Sequence, residues 1–377
     1  MRVQKAVPIL FSIALLFSGC TTQSEEYYDS FSSVFFNTTD TAHCFQSFDY
    51  QTTILDYETM KTSLLCNKPN CKHDKSDCIN CRLKGKIPLF SGTNLYYFVD
   101  SGNGISRGED GKPYFNIGST LYRYDFKTNQ EEKLFHIDGV SVSSQICYGL
   151  LLHDGTIFFI GNHYNIEYDE TGLMCGCNSS GGRMELYALD LSDLTVHNYG
   201  DLYNIDALSD IYPCARNSGE VYMKGLFDNK IYFEVCFVPT FDINSSYVEY
   251  VTYFDIDTKT YHGEPQDYSN IDFCTADFIS KDYLVLTREK QAVVYKAGHE
   301  EPFILKDDSF QLGCFLSVFD DTLYHNGKAF DLKNGESRVL KNMYNKQVVA
   351  KYGDSYIISD LGMQGNFEKI PAEELLK

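Results

Sequence analysis

Apolar and polar residues alternate along most of this chain in runs too short for helices. Gly92-Thr93-Asn94-Leu95-Tyr96-Tyr97-Phe98, Asp154-Gly155-Thr156-Ile157-Phe158-Phe159-Ile160 and Asp228-Asn229-Lys230-Ile231-Tyr232-Phe233 each lead from a polar turn into an apolar strand. Shorter versions begin at Lys281, Asp321 and Gly353. A second signature follows them: an apolar or aromatic residue, Asp, any residue, then a polar turn. It reads Leu55-Asp56-Tyr57-Glu58-Thr59, Tyr124-Asp125-Phe126-Lys127-Thr128, Leu189-Asp190-Leu191-Ser192-Asp193, Phe254-Asp255-Ile256-Asp257-Thr258 and Phe330-Asp331-Leu332-Lys333-Asn334-Gly335. Asp, Thr and Asn side chains bond nearby backbone groups, so these positions are turns between antiparallel strands. Adding a first unit over 35–65 and a degenerate copy at 293–298 gives about seven copies, the compact ones about 40 residues apart. That period predicts an all-β fold, a β-propeller of about seven four-stranded blades, with six or eight also fitting. Radial repetition protects the edges of so many short strands.

The first residues break the pattern. Two positive side chains within 1–5 precede an apolar run over 6–17, interrupted by Pro8 and Ser12, and a polar, acidic segment begins at Thr21. A charged start, a short apolar stretch and small residues before a cut define an export signal rather than a spanning helix. Leu16-Phe17-Ser18-Gly19-Cys20 resembles the lipobox of bacterial lipoproteins, although Phe17 stands where an aliphatic residue is usual. The resemblance implies cleavage before Cys20 and a diacylglyceryl group on its thiol; a plain secretory signal with an incidental cysteine is the alternative. The organisation expected is a signal peptide over 1–19, a short polar tether over 20–33 and the propeller over 34–377, on the extracytoplasmic face of a bacterial membrane. Two acyl chains hold a protein there far better than one.

The paired phrases around Leu95–Phe98 with Leu121–Phe135, and around Ile231–Phe233 with Val251–Thr260, resemble the β-propeller domain of clostridial cell-surface lipoproteins. That domain of unknown function is loosely similar to the YWTD propellers of lipoprotein receptors. The resemblance covers nearly all of the chain after Cys20. It implies the fold and leaves the activity open.

The copies are unevenly spaced. Insertions at 101–117, 161–182 and 239–246 stretch the second to fourth units between their two signature strands. Equivalent loops emerge on one face of a propeller, commonly the binding face. Arg107, Asp110, Tyr114, His163, Tyr164, Tyr168, Asp169, Phe241 and Asp242 are therefore the candidate binding residues. Ordinary polar loops without a ligand are the plainer reading of the same residues.

Cys66, Cys71, His73, Cys78 and Cys81 crowd into sixteen residues, 66–81. Thiolate and imidazole suit Zn²⁺, and four such ligands close a tetrahedral structural site. Cys66, Cys71, His73 and Cys78 form the candidate set, with Cys81 as the alternative fourth ligand. The stretch also matches a Cys-x-Lys-Pro-x-Cys-x-His-x4-Cys phrase that the clostridial lipoproteins carry after their first blade. Disulfides, which exported proteins favour, compete with zinc, and free thiols are a third possibility. Cys147, Cys236, Cys274 and Cys314 sit beside apolar residues and read as small buried hydrophobes, while Cys175-Gly176-Cys177 lies in the longest insertion.

A net charge of −20 opposes nucleic-acid binding and close contact with an anionic bilayer. The chain carries no Gly-x-Ser-x-Gly elbow, no phosphate-binding glycine loop and no Trp for a sialidase-type Asp box. An organic cofactor is not expected, and a binding module reads better than an enzyme. The expected partners are the membrane, through Cys20, and an extracellular glycan, peptide or envelope protein. Two alternatives stand beside this reading. One is a glycan- or peptide-directed hydrolase with carboxylates at the propeller channel; raised carboxyl pKa values clustered there would favour it. The other is an envelope scaffold.

Overall fold

The structure is a computed structural model. It describes residues 30–31, 37–38, 42–46, 52–66, 71–72, 78–83, 88–91, 93–100, 105–107, 113–115, 118–125, 128, 130–142, 149–163, 165–168, 174–178, 184–215, 219–240, 247–313, 315–341, 343, 346–360 and 366–376. For 30–31, 37–38, 43–46, 105–107, 113–115, 163, 165–168, 174–178 and 270 only the backbone is described. Among the described residues, no helix is long and apolar enough to cross a membrane.

Consecutive strands pair antiparallel into successive sheets, each running from an inner to an outer strand. The first sheet holds Asn37–Thr38, Ala42–Gln46, Thr52–Asp56 and Lys61–Leu64. The second holds Leu89–Ser91, Asn94–Asp100, Gly118–Asp125 and Gln130–Asp138; the third is built on Leu150–His153, Thr156–His163, Met184–Asp190 and Val196–Asp201. The fourth holds Glu220–Phe227, Lys230–Phe237, Val248–Asp255 and Thr260–His262. Thr275–Ile279, Tyr283–Arg288, Gln291–Lys296 and Phe303–Lys306 make the fifth, and Leu316–Phe319, Thr322–His325, Lys328–Asp331 and Ser337–Val339 the sixth. Among the described residues the seventh has three strands, Lys346–Tyr352, Ser355–Asp360 and Phe367–Pro371, where four were expected. Pro371 ends its outer strand and opens helix α1, Ala372–Leu375, which buries Leu375 against Tyr324 and Tyr356.

Local chemistry explains why the repeat folds this way. The Asp of the second signature ends the third strand of its sheet and accepts from the turn that follows. Asp56 Oδ1 takes the Thr59 amide at 2.7 Å, Asp190 that of Ser192 at 2.7 Å, Asp255 that of Thr258 at 2.9 Å and Asp331 that of Lys333 at 2.8 Å. The first signature supplies the tight turn between first and second strands. There Asp154 and Gly155 have φ of 45° and 75°, the left-handed pair that such hairpins require.

Hydrophobic cores lie between neighbouring sheets and run in a closed series. Phe159 and Leu121 join the second and third sheets, Phe233 and Leu186 the third and fourth, and Val285 and Leu323 the fifth and sixth. The series closes where Leu55 and Tyr57 of the first sheet pack on Ala350 and Ile357 of the seventh. Lys369 Nζ donates to the Tyr57 carbonyl at 3.2 Å and lies 4.4 Å over the Tyr352 ring. The chain is thus an all-β propeller, its sheets set radially and closed face to face. Among the described residues, the buried Tyr57 hydroxyl has no hydrogen-bond partner. Tyr57→Phe should therefore stabilise the fold by about 1 kcal/mol in urea titration; a loss of that size would place a partner on the hydroxyl.

Ser30–Phe31 falls in the segment expected to be a tether. Its backbone instead pairs with the inner edge of the third sheet, Ser30 opposite Leu152 and Phe31 opposite Leu151.

Candidate functional site

In a four-stranded meander, the connection between the second and third strands and the connection to the next sheet open at the same end. The insertions at 101–117 and 239–246 fall between second and third strands, as does the one in the third sheet. The last begins at 164 rather than 161, because the strand continues to His163. These loops and the sheet-to-sheet connections define one face, called here the loop face; the turns between first and second and between third and fourth strands define the opposite turn face.

Two insertions carry hairpins of their own. Ile105–Arg107 pairs with Pro113–Phe115, which sets Arg107 opposite Pro113 and Tyr114 opposite Ser106. Asn165–Tyr168 pairs with Met174–Asn178, with Tyr168 opposite Met174 and Cys177 opposite Ile166. His163 ends the second strand of its sheet, opposite Val140. Asp110, Tyr164, Asp169, Phe241 and Asp242 lie outside the described residues, as do Cys147 and Cys314.

The cysteine cluster occupies the connection from the first sheet to the second, on the loop face. Cys66 follows the outer strand Lys61–Leu64, and Cys78 precedes helix α2, Ile79–Arg82, which α1 follows much later in the chain. The sulfurs of Cys66, Cys71 and Cys78 all lie within 4.8 Å of one another. Cys66 and Cys78 are buried and Cys71 is half-buried. Cys81 sits on α2 outside this triad, and His73 lies outside the described residues.

The surrounding residues hold the triad in place. Leu65, Ile79 and Leu83 pack with Phe90, Leu95 and Tyr97 of the second sheet. Buried Asn80 accepts the Cys66 amide at 2.7 Å and donates to the Thr52 carbonyl at 3.2 Å, tying the connection back to the first sheet. Arg82 and Tyr97 both converge on Glu131 of the outer strand. The Tyr124 phenol is held above its ordinary pKa, first by burial and then by the negative charge of Cys66. Three convergent soft ligands in a partly dry pocket can bind a metal ion.

A second constellation was not anticipated from sequence. Between the fourth and fifth sheets, oxygens of Glu234 and Glu249 and the sulfur of Cys236 lie within 4.8 Å of one another. Lys224 Nζ stands 3.3 Å from Glu234 Oε2, and the Ala276 amide donates to the same oxygen at 3.2 Å. Cys236 Sγ donates to Glu234 Oε1 at 3.7 Å. Cys236 and Cys274 are buried as expected; burial pushes the Cys236 thiol up, and the charges of Glu234 and Glu249 add to it. Thr287 donates to Asp277 and shares a 2.8 Å hydrogen bond with Thr275. Burial raises Asp277 to about 6, and burial followed by Glu234 raises Glu249 to about 7. Lys224 already supplies a cation, so this is a charge network within an interface. The signal for it was Glu234 itself, a charge inside the apolar run Ile231–Phe237.

No protein-family model matches the chain, and no curated protein matches its sequence. Among solved structures it is similar to an oligogalacturonate lyase in complex with manganese, with TM-score 0.45 and 13% identity over 93% of this chain and 92% of that one. It is also similar to a PL25 ulvan lyase bound to its saccharide (TM-score 0.42, 10% identity, 92% and 86% covered). A third likeness is to the β-propeller domain of the trilobed protease from Pyrococcus furiosus (TM-score 0.38, 10% identity, 87% and 92% covered).

Proposed function

We propose that this chain is an extracytoplasmic propeller, anchored to a bacterial membrane through lipidated Cys20, that binds a glycan, peptide or envelope protein with its loop face. The observation that supports this most is the common position of the three insertions, each between the second and third strands of its sheet. Arg107, Tyr114, Tyr168 and the other candidate residues sit on or beside these insertions. The Cys66–Cys71–Cys78 triad then holds one structural zinc, with His73 or Cys81 completing the set, and staples the connection between the first two sheets. Such a closed site supplies rigidity rather than chemistry. Deleting the three insertions should weaken binding of a glycan or peptide, found by array screening, by at least about tenfold. Unchanged binding would remove the loop face from the reading.

A hydrolase is the second reading, favoured by the raised carboxyl groups Asp277 and Glu249 beside Glu234. Glu234 and Asp277 are held by Lys224, the Ala276 amide and Thr287 at an interface between two sheets, which favours a structural role over catalysis. Turnover of a glycan or peptide that Asp277→Asn abolishes, with the fold intact, would reverse that order.

A further inference from the structure

Ser30–Phe31 lies inside the ring of sheets. It pairs with the free inner edge of Leu150–His153, and its backbone approaches the inner strands Asn37–Thr38, Leu89–Ser91 and Glu220–Phe227. Inner strands all begin at the loop face, where the connection from the preceding sheet arrives, and end at the turn face. The Ser30–Phe31 pairing is antiparallel, so this segment runs the other way. Its direction therefore points from the turn face towards the loop face. The start of Asn37–Thr38, the first inner strand, lies at that same end and follows after only five intervening residues, 32–36.

We infer that the N-terminal segment threads the central channel and fixes the orientation of the propeller on the membrane. The turn face looks towards the bilayer, and the loop face, with its insertions and cysteine cluster, is held away from it. The orientation rests on the lipid anchor proposed above; the threading does not.

Chain length decides whether the tether could instead wrap round the rim. Ten peptide steps from Cys20 to Ser30 span at most about 36 Å. Passing from the axis over four strand spacings covers about 19 Å, and climbing an eight-residue strand adds about 26 Å. That path, about 45 Å, exceeds the reach. A lipid on Cys20 therefore cannot reach the loop-face side round the rim while Ser30–Phe31 stays in place. The ligand of the loop face then comes from outside the membrane, and the occupied channel leaves less room for chemistry along the axis.

Energy transfer tests the orientation. Lipidated protein is reconstituted in phosphatidylcholine vesicles containing a rhodamine-labelled lipid, with a donor fluorophore placed as an unnatural amino acid at exposed Glu289 or exposed Glu300. Both sites belong to the fifth sheet, Glu289 in its second-to-third turn on the loop face and Glu300 in its third-to-fourth turn on the turn face. Transfer from Glu300 should exceed that from Glu289 at least about threefold, given a strand height near 26 Å. Equal or reversed transfer overturns the orientation. Mass spectrometry of the N-terminal peptide reads the anchor separately: a Cys20 without diacylglyceryl removes both the anchor and the orientation that depends on it. Hydrogen exchange reads the threading by itself. In the mature chain carrying Ser30→Pro and Phe31→Pro, the amides of Leu150–His153 that face this segment should exchange at least about tenfold faster, because two successive prolines spoil the pairing. Unchanged protection there overturns the threading whatever the anchor does.

Discussion

Chelating the metal from a zinc-loaded chain should lower its melting temperature by on the order of 5–10 °C, and Cys78→Ser should do the same without chelator. A ligand present at a thousand times its dissociation constant stabilises a fold by about 4 kcal/mol. Each kcal/mol moves the transition by about 2–4 °C in a domain of 150–250 residues, and by less in a larger one. The loss should begin locally. Cys66 and Cys78 belong to the core that joins the first two sheets, and Asn80 links the Cys66 amide to the Thr52 carbonyl. Hydrogen exchange should therefore rise first in Thr52–Asp56 and Asn94–Asp100. Cys274→Ser, at a buried site remote from the triad in sequence and on the fifth sheet's side, serves as the control for losing a buried sulfur. Elemental analysis beside thiol counting separates the readings. A melting point that responds to reductant and not to chelator would replace zinc by a disulfide. An unchanged melting point and metal content in Cys78→Ser would end the staple altogether.

The parts of this fold that were legible in the sequence are those whose chemistry is local. Asp56, Asp190, Asp255 and Asp331 mark turns because each bonds an amide two or three residues on, and that requirement is written within one pentapeptide. Counting strands between such marks was then enough to place all three insertions on one face. The cysteine triad was legible because spacing alone brings Cys66, Cys71 and Cys78 within reach of a common point. Whether His73 or Cys81 would join the triad was not, since spacing alone leaves both within reach. Nor could alternation locate the interface network: it says which side of a strand Lys224, Glu234, Glu249 and Asp277 occupy, but not that four strands from two sheets bring them together. The pairing of Ser30–Phe31 was the least legible. Two residues carry no period, and their partners lie more than a hundred positions away.

Glu234→Ala should destabilise the propeller by about 2–3 kcal/mol, the larger part from leaving Lys224 without its nearest counter-charge. Removing one member of a fully buried pair costs about 3–5 kcal/mol; the Lys224 side chain keeps 28% of its exposure, against 7% for Glu234, which lowers the cost to the bottom of that range or just below it. The Ala276 amide also loses its acceptor. Replacing both partners by Met should cost less than Glu234→Ala alone, because an apolar pair leaves no buried charge behind. The same network sets a pH dependence of definite sign. Asp277 and Glu249 titrate near 6 and near 7 in the folded chain, above their ordinary values near 4, mainly through burial. Between those limits the folded state holds protons that the unfolded state has released, so the contribution of these two groups to stability is complete below about pH 4 and falls as the pH rises to about 7. Asp307 acts in the opposite direction: bonds from Lys328 and Ser309 outweigh its burial and hold it down to about 2, so its contribution is lost as the pH falls from about 4 to about 2. Urea midpoints at pH 5 and pH 7.5 should therefore differ in the wild type, and the difference should shrink in Asp277→Asn with Glu249→Gln. If the double substitution left the slope between pH 5 and 7.5 untouched, the two carboxyl groups would not be the buried acids of this interface, and Lys224 would be facing Glu234 alone.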